Sequence, residues 1–545
     1  MAQEKKQSFM KGAAILTAST LIVKILGLLF SIPLANLIDT EGMSCFYAAY
    51  EVFGVFLMLS TAGLPIAVSR MVGTAYSQGR KKEADRVFSV AFWLFFGIGL
   101  VGCLLMFFGS EWIAGFYGNP DASYAIMALS PTLFFISVMS VLRGYSQGRS
   151  DMVPTAVSQT IEAVTKVIIG VGLAVYILQQ YDSSQWAAVG AIVGVSISAG
   201  LGTIYLTIYK IRQKRKDKVL WKDADPASAS RKELLSTLLK FAVPITIGSC
   251  FLSLLDLVDG GIMMNQLQRT AGFALEEAQH MEALLGHARK FFDLPGAFVI
   301  PISTSLLPVL SGAVASHDQQ SVDHISSTSL RVTLLIAIPA SVGMCLFSEP
   351  ICGLLLAGSP AAAEGTAPLL AMLSVAIVFN STLYVTNAIL QALGKPNLPV
   401  INMAVGGLVK VAITFCLTAV PEINVMGCAI STVVSYCLIM VLNFIAIRRN
   451  LPNLDSIVKM AVPLAFAALV MGAVSYGAYW GMCFFLSPRL AVLPSIVLAI
   501  VVYAVCVVVF KAVTYDDVAV LPKGETLARL LHVKKTVVPR HMRRK

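Results

Sequence analysis

Long apolar stretches separated by short polar breaks run through the whole chain. Most are at least as long as the roughly 20 residues that an α-helix needs to cross the hydrocarbon core of a bilayer. The pattern predicts an all-α polytopic membrane protein with fourteen transmembrane helices. They are expected at residues 12–38, 45–74, 87–108, 122–142, 153–178, 186–209, 241–263, 284–313, 327–347, 366–392, 397–420, 425–447, 457–481 and 490–512.

The second predicted span ends in a broken helix at Ser60–Arg86, where a glycine and Pro65 interrupt the apolar run before a short basic loop. A related pattern returns at Ile300–Asp318, with I-P-I-S-T-S in place of L-P-I-A-V-S. A second match pairs Q-G-R-S-D-M-V-P before Lys166 with L-G-K-P-N-L-P before Lys410. Both matches are separated by about 240 residues in the same order, which is typical of transporters built from parallel repeats. We therefore predict two six-helix lobes, each with a broken helix, followed by two further helices.

The longest polar break, at residues 210–240, sets the predicted domain boundaries. We expect a first lobe at 1–240 that includes this basic linker, and a second lobe at 241–450. Two additional spans follow at 451–515, and a basic tail at 516–545. The tail is expected either at the anionic inner leaflet or in solvent.

Lysine and arginine are distributed unequally between the two sides of the predicted membrane. One side receives Lys5, Lys6, Lys11, Arg80, Lys81, Lys82, Arg86, Arg143, Arg149, the linker, Lys395, Arg448, Arg449 and the tail. The other side receives mainly acidic residues, among them Glu111, Asp121 and Glu349. Because short loops rich in Lys and Arg stay on the cytoplasmic side, we predict that both termini are cytoplasmic.

Composition excludes a soluble globular class. The chain is 57% hydrophobic and 13% charged, with a mean hydropathy of +0.77, whereas soluble domains are about 25% charged. The net charge of +11 lies in the loops and the tail, so it predicts membrane orientation and no nucleic-acid partner. The ten cysteines show no CxxC pair or metal-ligand spacing, which favours small residues buried or facing lipid.

Several segments resemble the polysaccharide-transport, stage V sporulation protein B-like branch of the MOP exporter superfamily. They are K-G-A-A-I-L-T, V-K-I-L-G, I-P-L-A, L-S-T-A-G-L-P-I-A-V-S, R-G-Y-S-Q-G and P-T-A-V-S-Q-T-I-E. The resemblance covers nearly all of residues 8–515. It implies two six-helix lobes around a central cavity that move lipid-linked sugars by alternating access across the bacterial cytoplasmic membrane. Ser31 and Glu51 depart from it, since the family often carries Arg and Pro at these positions.

Cations inside the spans are the first candidate site residues, because a charge at mid-bilayer costs roughly 2.5–3.5 kcal/mol on insertion scales. Lys24 lies midway through the first span, where the resemblance implies a cavity-facing cation; snorkelling and pairing with an acid are its alternatives. Arg289 and Lys290 lie where related flippases carry a cavity arginine, with interfacial placement as their alternative. Lys410 occupies the repeat position of Lys166 without a glutamate four residues earlier, so we expect it to be freer for a ligand.

Acidic residues in the spans are candidates for ion coupling or charge pairing. Glu162 and Lys166 are four residues apart, in the favourable order for an ion pair on one helix face. We expect them to pair with each other. Asp256 and Asp259 lie one turn apart in the seventh span, and Glu51 lies in the second. Each is expected to couple transport to an ion or to pair with a cation.

The leading hypothesis is a flippase for an undecaprenyl-diphosphate-linked saccharide, either lipid II or a related cell-wall or polysaccharide precursor. Lys24, with Lys290 or Arg289, would hold the diphosphate, and the chain would act as a monomer among membrane lipids. The sequence has no Walker loop, nucleophile elbow, dinucleotide glycine pattern or HExxH helix. We therefore expect no enzyme, cofactor or metal site, and coupling to Na⁺, H⁺ or the membrane potential.

The main alternative is a cation-coupled multidrug antiporter of the same superfamily, in which acids such as Glu51, Asp256 and Asp259 would dominate the cavity. Cations in the middle of a span disfavour it, because they repel cationic cargo. A membrane polymerase acting on lipid-linked sugars would need a large outer loop, and the outer loops here are short.

Overall fold

The computed structural model describes residues 2–61, 63–220, 229–510 and 512–513. Every regular element within these ranges is helical, and the predicted all-α membrane fold is confirmed. The predicted basic tail at 516–545 lies outside the described residues, as do residues 221–228 of the predicted linker.

The chain forms two compact units. The first comprises Met1–Ala283 and Thr418–Asn424. Its helices are α1 (Ala2–Leu37), α2 (Thr40–Thr61), α3 (Leu64–Ser77), α4 (Lys81–Phe108), α5 (Ser110–Tyr117), α6 (Ser123–Gly148), α7 (Val153–Thr165), α8 (Val171–Tyr181), α9 (Ser184–Leu220) and α10 (Arg231–Arg269). A π-helical turn at Lys166–Gly170 joins α7 to α8, and a 3₁₀ turn at Pro120–Ala122 precedes α6.

The second unit comprises Leu284–Leu417 and Val425–Lys545. Helix α11 (Leu275–Phe292) begins in the first unit and ends in the second. The remaining helices are α12 (Gly296–Ala315), α13 (Gln319–Leu346), α14 (Ser348–Leu355), α15 (Pro360–Ala392), α16 (Asn397–Leu417), α17 (Met426–Asn450), α18 (Ile457–Met482) and α19 (Pro488–Val509). Helix α10 packs on α2, α3, α4 and α5. The first compact unit therefore continues past residue 240, to Ala283. The predicted division by repeats stays a prediction.

Twelve helical segments in the described part of the chain are long and apolar enough to cross a membrane. The predicted first span lies in α1, whose described apolar stretch Ile22–Leu37 is shorter. The predicted seventh span lies in α10, which is not among the twelve. The count of fourteen therefore stays a prediction, while the multi-pass architecture is established.

The break predicted after Ser60 is present: α2 ends at Thr61 and α3 begins at Leu64, with Pro65 in its first turn. Proline is favourable there because the first helical N–H groups have no intrahelical partner. Gly63 faces the carbonyl oxygen of Ala242 on α10, and a Cβ at Gly63 would overlap that oxygen. The break thus lets α10 approach the backbone closely.

The second broken helix predicted at Ile300–Asp318 is wrong. Helix α12 continues through both Pro301 and Pro308 to Ala315. The break comes earlier, at residues 293–295, because Pro295 disfavours helical geometry in the residue before it. The predicted span 284–313 therefore covers parts of two helices. Its charged residues lie before the apolar helix α12.

One long helix lies at the centre of each unit. In the first, α6 packs against α2, α3, α4 and α9, and buries Leu133, Val141 and Tyr145 completely. In the second, α15 packs against α12, α13 and α17. Helices α18 and α19 pack on each other, and α18 also packs on α13.

Gly194 on α9 should be sensitive to substitution, because an added Cβ would overlap the backbone of Gly170 in the π turn. We expect Gly194→Val to destabilise the protein by about 1–3 kcal/mol, as overpacking does elsewhere. Thermal unfolding of the purified protein in detergent would measure it. Gly172→Ala is the matched control, since nothing lies within 4 Å of a Cβ at Gly172. Equal unfolding temperatures for both variants would contradict this packing.

Candidate functional site

Helix α1 brings Lys24 to the surface of the first unit. The helix packs on α7 and α8, and the Ser19 hydroxyl donates a hydrogen bond of 3.0 Å to the carbonyl of Ala156 on α7. The Lys24 side chain is exposed beside the exposed Ile25. Among the described side chains it forms no ion pair or hydrogen bond. Its charge is therefore not neutralised within the described part of this unit.

Lys166 begins the π turn, in an irregular stretch of the helix α7–α8. Its ammonium nitrogen lies 5.0 Å from the centre of the Phe30 ring on α1, within the range of a cation–π interaction. Single π turns recur at functional positions in helices because they redirect the side chains that follow. Lys166 is thus directed toward α1, the helix that carries Lys24.

The ion pair predicted between Glu162 and Lys166 is wrong. Glu162 pairs with Arg143 on α6, whose Nη2 lies 3.1 Å from the Glu162 Oε2. The Arg143 Nε also donates to the Ser158 hydroxyl at 3.0 Å. A guanidinium forms such a two-point contact readily because its N–H groups have a fixed fork geometry. The predicted span 122–142 ends just before Arg143, whereas α6 continues past it to Gly148.

A second polar group on the first unit surrounds Glu282 of α11. The Tyr117 hydroxyl at the end of α5 lies 2.6 Å from the Glu282 Oε1 and 2.9 Å from the Glu51 Oε2. Ser44 of α2 donates to the Glu282 Oε2 at 2.5 Å, and Asn119 donates to the same oxygen at 3.3 Å. All of these residues belong to the first unit.

The group around Glu282 is continued by a chain of amides. Gln279, one turn before Glu282, donates to the Asn119 Oδ1 at 2.9 Å and to Asp121 at 2.8 Å. Asn119 also donates to the Ser44 hydroxyl at 2.8 Å. Of this group, only Glu51 was predicted from the sequence as a site residue. Glu282 was missed because it lies among other charged and polar residues of α11, where its burial has no sequence signal.

Tyr117 and Glu282 lie outside the twelve apolar spans. Burial raises the pKa of Glu282 from 4.5 to about 7, although hydrogen bonds from Ser44 and Tyr117 oppose the shift. Burial, together with the charges of Glu282 and Glu51, raises the pKa of the Tyr117 hydroxyl well above its ordinary value. The tyrosine therefore keeps its hydrogen, while the carboxyl group titrates near neutral pH.

The predicted cations of the second unit lie on two helices. Arg289 is half-buried and Lys290 exposed in the last turn of α11, ahead of the turn that contains Asp293. Lys410 is half-buried on α16 and interacts within the molecule. Lys166 interacts as well, so the expectation that Lys410 is freer for a ligand stays a prediction.

The two predicted aspartates of α10 differ in environment. Asp259 is completely buried, whereas Asp256, one turn earlier, is exposed. Both interact within the molecule. Glu51, the third predicted acid, shares the Tyr117 hydroxyl with the buried Glu282.

A buried amide network joins three helices of the second unit. Asn443 of α17 donates to the Asn387 Oδ1 at 2.8 Å and to the Thr386 hydroxyl at 3.1 Å, both on α15. Asn402 of α16 donates to the Asn443 Oδ1 at 2.8 Å. Such groups stabilise helix contacts in a membrane because lipid offers no alternative partner.

His280 on α11 interacts with α2, since its Nδ1 lies 2.9 Å from the Thr40 hydroxyl oxygen. Within the described ranges, no three His, Cys, Asp or Glu side chains are grouped to hold a metal ion.

The fold defines the class of protein. The structure of a lipid II flippase MurJ in an inward closed conformation is similar over 91% of this chain and 99% of that one, with a TM-score of 0.70 and 18% identity. An inward-facing multidrug resistance transporter of the MATE family gives a TM-score of 0.64 at 15% identity, over 80% and 98% of the two chains. These likenesses show that the chain has the same fold as these two proteins.

The sequence comparisons show the family. The model described as polysaccharide biosynthesis protein matches residues 9–314, more than half of the chain, and the MatE model matches residues 283–416. The chain therefore belongs to the polysaccharide biosynthesis protein family, and the expected resemblance to the branch with stage V sporulation protein B is confirmed.

Three relatives from Bacillus subtilis (strain 168) match nearly the whole chain. The uncharacterized membrane protein YabM is 26% identical over 97% of both chains. Stage V sporulation protein B is 26% identical over 95% of this chain and 98% of its own. Lipid II flippase MurJ is 24% identical over 91% and 93%. Where these names state an activity, it is lipid translocation.

The pairing of Arg143 with Glu162 predicts unequal effects of substitution. Glu162→Gln should destabilise the protein by about 1–3 kcal/mol, because it weakens a charged hydrogen bond to a largely buried guanidinium. Lys166→Met is the control and should cost less, because Lys166 is only half-buried and its cation–π contact is then worth about 1 kcal/mol. Chemical or thermal unfolding in detergent measures both. Equal destabilisation by the two substitutions would contradict the Arg143–Glu162 pair and favour pairing of Glu162 with Lys166.

Proposed function

We propose that this protein flips a polyprenyl-diphosphate-linked saccharide, such as lipid II or a related cell-wall or polysaccharide precursor, across the bacterial cytoplasmic membrane. The principal supporting observation is Lys24, an exposed cation on a membrane helix without an ion-pair partner among the described side chains. A charge in such a segment is costly to retain. A diphosphate supplies the concentrated negative charge that would balance it.

The surroundings of Lys24 also suit an anionic cargo. Lys166 is directed toward the same helix α1 over the Phe30 ring. Arg143 would help less directly, because Glu162 already neutralises it. Two lysines on adjacent helices would attract phosphate as point charges, without the fixed geometry of a guanidinium. Arg289 and Lys290 are the corresponding candidates in the second unit.

The relatives support the same cargo class. The flippase MurJ of Bacillus subtilis matches over 91% of this chain, and its name states that it flips lipid II. We propose alternating access by a monomer surrounded by membrane lipids, with both termini cytoplasmic, as the charge asymmetry of the loops predicts. The coupling energy would come from Na⁺, H⁺ or the membrane potential, without a bound cofactor.

Flipping of a labelled lipid-linked saccharide in proteoliposomes tests the role of Lys24. We expect Lys24→Ala to slow flipping about tenfold or more, because a charged hydrogen bond is worth about 1.5–3 kcal/mol. Lys24→Arg should keep most of the rate because it keeps the charge. Lys290→Ala should also slow flipping.

Lys459→Ala is the matched control, since this lysine is exposed on α18 in the second unit. Wild-type rates in both Lys24→Ala and Lys290→Ala would contradict the proposed binding role. Export of a cationic dye along an ion gradient, lost in Glu51→Gln, would favour the multidrug antiporter instead.

Depletion of the protein in its own cells tests the cargo. We expect a lipid-linked intermediate to accumulate on the cytoplasmic leaflet, because its synthesis continues while its export stops. Chemical identification of that lipid names the saccharide. Unchanged levels of every lipid-linked intermediate would contradict the proposal.

A further inference from the structure

The contacts of Tyr117 do not fit two ionised carboxylates. Its hydroxyl has one hydrogen, yet its oxygen lies 2.6 Å from Glu282 and 2.9 Å from Glu51. If both acids were ionised, one of these short contacts would join two oxygens with no hydrogen between them. One additional proton on either acid satisfies both contacts, because the neutral carboxyl group then donates to the tyrosine oxygen.

We infer that Glu51 and Glu282 share one titratable proton through the Tyr117 hydroxyl, which makes this trio a proton-binding site of the first unit. The proton belongs to the pair as a whole, as in other closely coupled acids. On release, it leaves a second negative charge beside the first. The site goes beyond the proposed flipping reaction and does not depend on the identity of the cargo.

Packing holds the trio together. Glu282 is 4% exposed and Tyr117 2% exposed, and Ser44 and Asn119 fix the second oxygen of Glu282. On the other side, α10 approaches through Gly260. A Cβ at that position would lie 2.7 Å from the Tyr117 hydroxyl oxygen and would overlap Glu51. Glu51 itself is half-buried, which leaves the pair within reach of water.

The titratable groups around the pair are mostly acidic. Helix α2 adds Glu41 and the uncharged thiol of Cys45, and the 3₁₀ turn adds Asp121, which accepts from Gln279. Helix α10 places Asp259 next to Gly260, and α11 itself carries His280 in contact with Thr40. Like charges at short range favour the neutral form of a carboxyl group.

The sign of the linkage follows from the pKa of Glu282. Burial raises it from 4.5 to about 7, so the folded protein binds this proton more tightly than the unfolded chain does. The stabilisation is fully present below the ordinary pKa and is lost as the pH rises through about 7. Between these values, one linked proton changes the unfolding equilibrium about tenfold per pH unit.

Thermal and chemical unfolding of the full-length protein in detergent, between pH 5 and 8, tests the site. We expect the ratio of the unfolding equilibrium constants of wild type and Glu282→Gln to change about tenfold per pH unit between pH 5 and 7. Glu282→Gln should lose this pH dependence of stability because an amide supplies a hydrogen without titrating. Glu51→Gln should weaken it, because the variant removes one negative charge beside Glu282 and its amide can donate to the tyrosine oxygen, while Glu282 itself stays buried.

Glu276→Gln is the matched control, because Glu276 is an exposed acid on the same helix α11; it should keep the wild-type pH dependence. A wild-type pH dependence in both Glu282→Gln and Glu51→Gln would overturn the inference. Infrared spectroscopy in H₂O and D₂O provides a readout independent of stability. The carbonyl band of a protonated carboxyl group should be present in wild type at pH 6, absent from Glu282→Gln and weaker in Glu51→Gln. Its undiminished persistence in both variants would also overturn the shared proton.

Flipping assays separate this site from the proposed function. A Glu282→Gln protein that loses the pH dependence and still flips lipid supports a proton site that is not coupled to transport. Loss of flipping by Lys24→Ala, with the carboxyl band intact, supports the two sites as separate. If neither the wild type nor any variant flips lipid, the proposed function is wrong. The unfolding and infrared results then still test the proton site.

Discussion

A polar or charged group in hydrocarbon must find a partner within the protein, because lipid offers none. Two polar contacts between the described apolar helices follow from that constraint. Arg143 meets Glu162 between α6 and α7, and Asn443 ties α17 to α15 and α16. Glu282 lies outside the apolar spans, but it is buried and therefore also needs partners, which are three donors from α2, α5 and the following turn. These contacts determine which helices lie side by side, and the apolar residues fill the space between them.

Departures from regular helix geometry coincide with the polar groups of interest. The π turn begins at Lys166, and the break between α2 and α3 brings Gly63 against the backbone of α10. Gly260 lets the same helix approach Glu51 and Tyr117. Close approach of backbones requires small residues in a membrane protein. Gly63 and Gly260 therefore allow the helices to approach closely enough to bring the polar side chains together.

Two kinds of charge chemistry occupy different parts of the first unit. Lys24 and Lys166 offer positive charge along α1 and α7, which suits a diphosphate. Glu51 and Glu282 offer a titratable proton where α2, α5 and α11 meet. Separate sites for cargo and proton would allow each to be occupied without direct competition, and any coupling between them would have to pass through α2 and the helices packed on it. Such coupling is a free-energy linkage that both ligands experience equally.

Hydropathy, charge asymmetry and short motifs predicted the all-helical membrane fold, the family and the broken helix near Pro65, because the length of an apolar run and the position of a proline are local properties. Lys24, Glu51 and Lys166 were also identifiable from sequence, since a charge in an apolar run is conspicuous. The partners of these residues were not. Arg143 instead of Lys166 pairs with Glu162, α12 stays continuous through Pro301, and Glu282 becomes buried against Tyr117, because helix packing brings together residues that are 19 to 165 positions apart. The sequence by itself determined which segments enter the membrane and where charge is placed in them; only the tertiary structure decided which charges meet, because pairing depends on distances between helices that no local pattern contains.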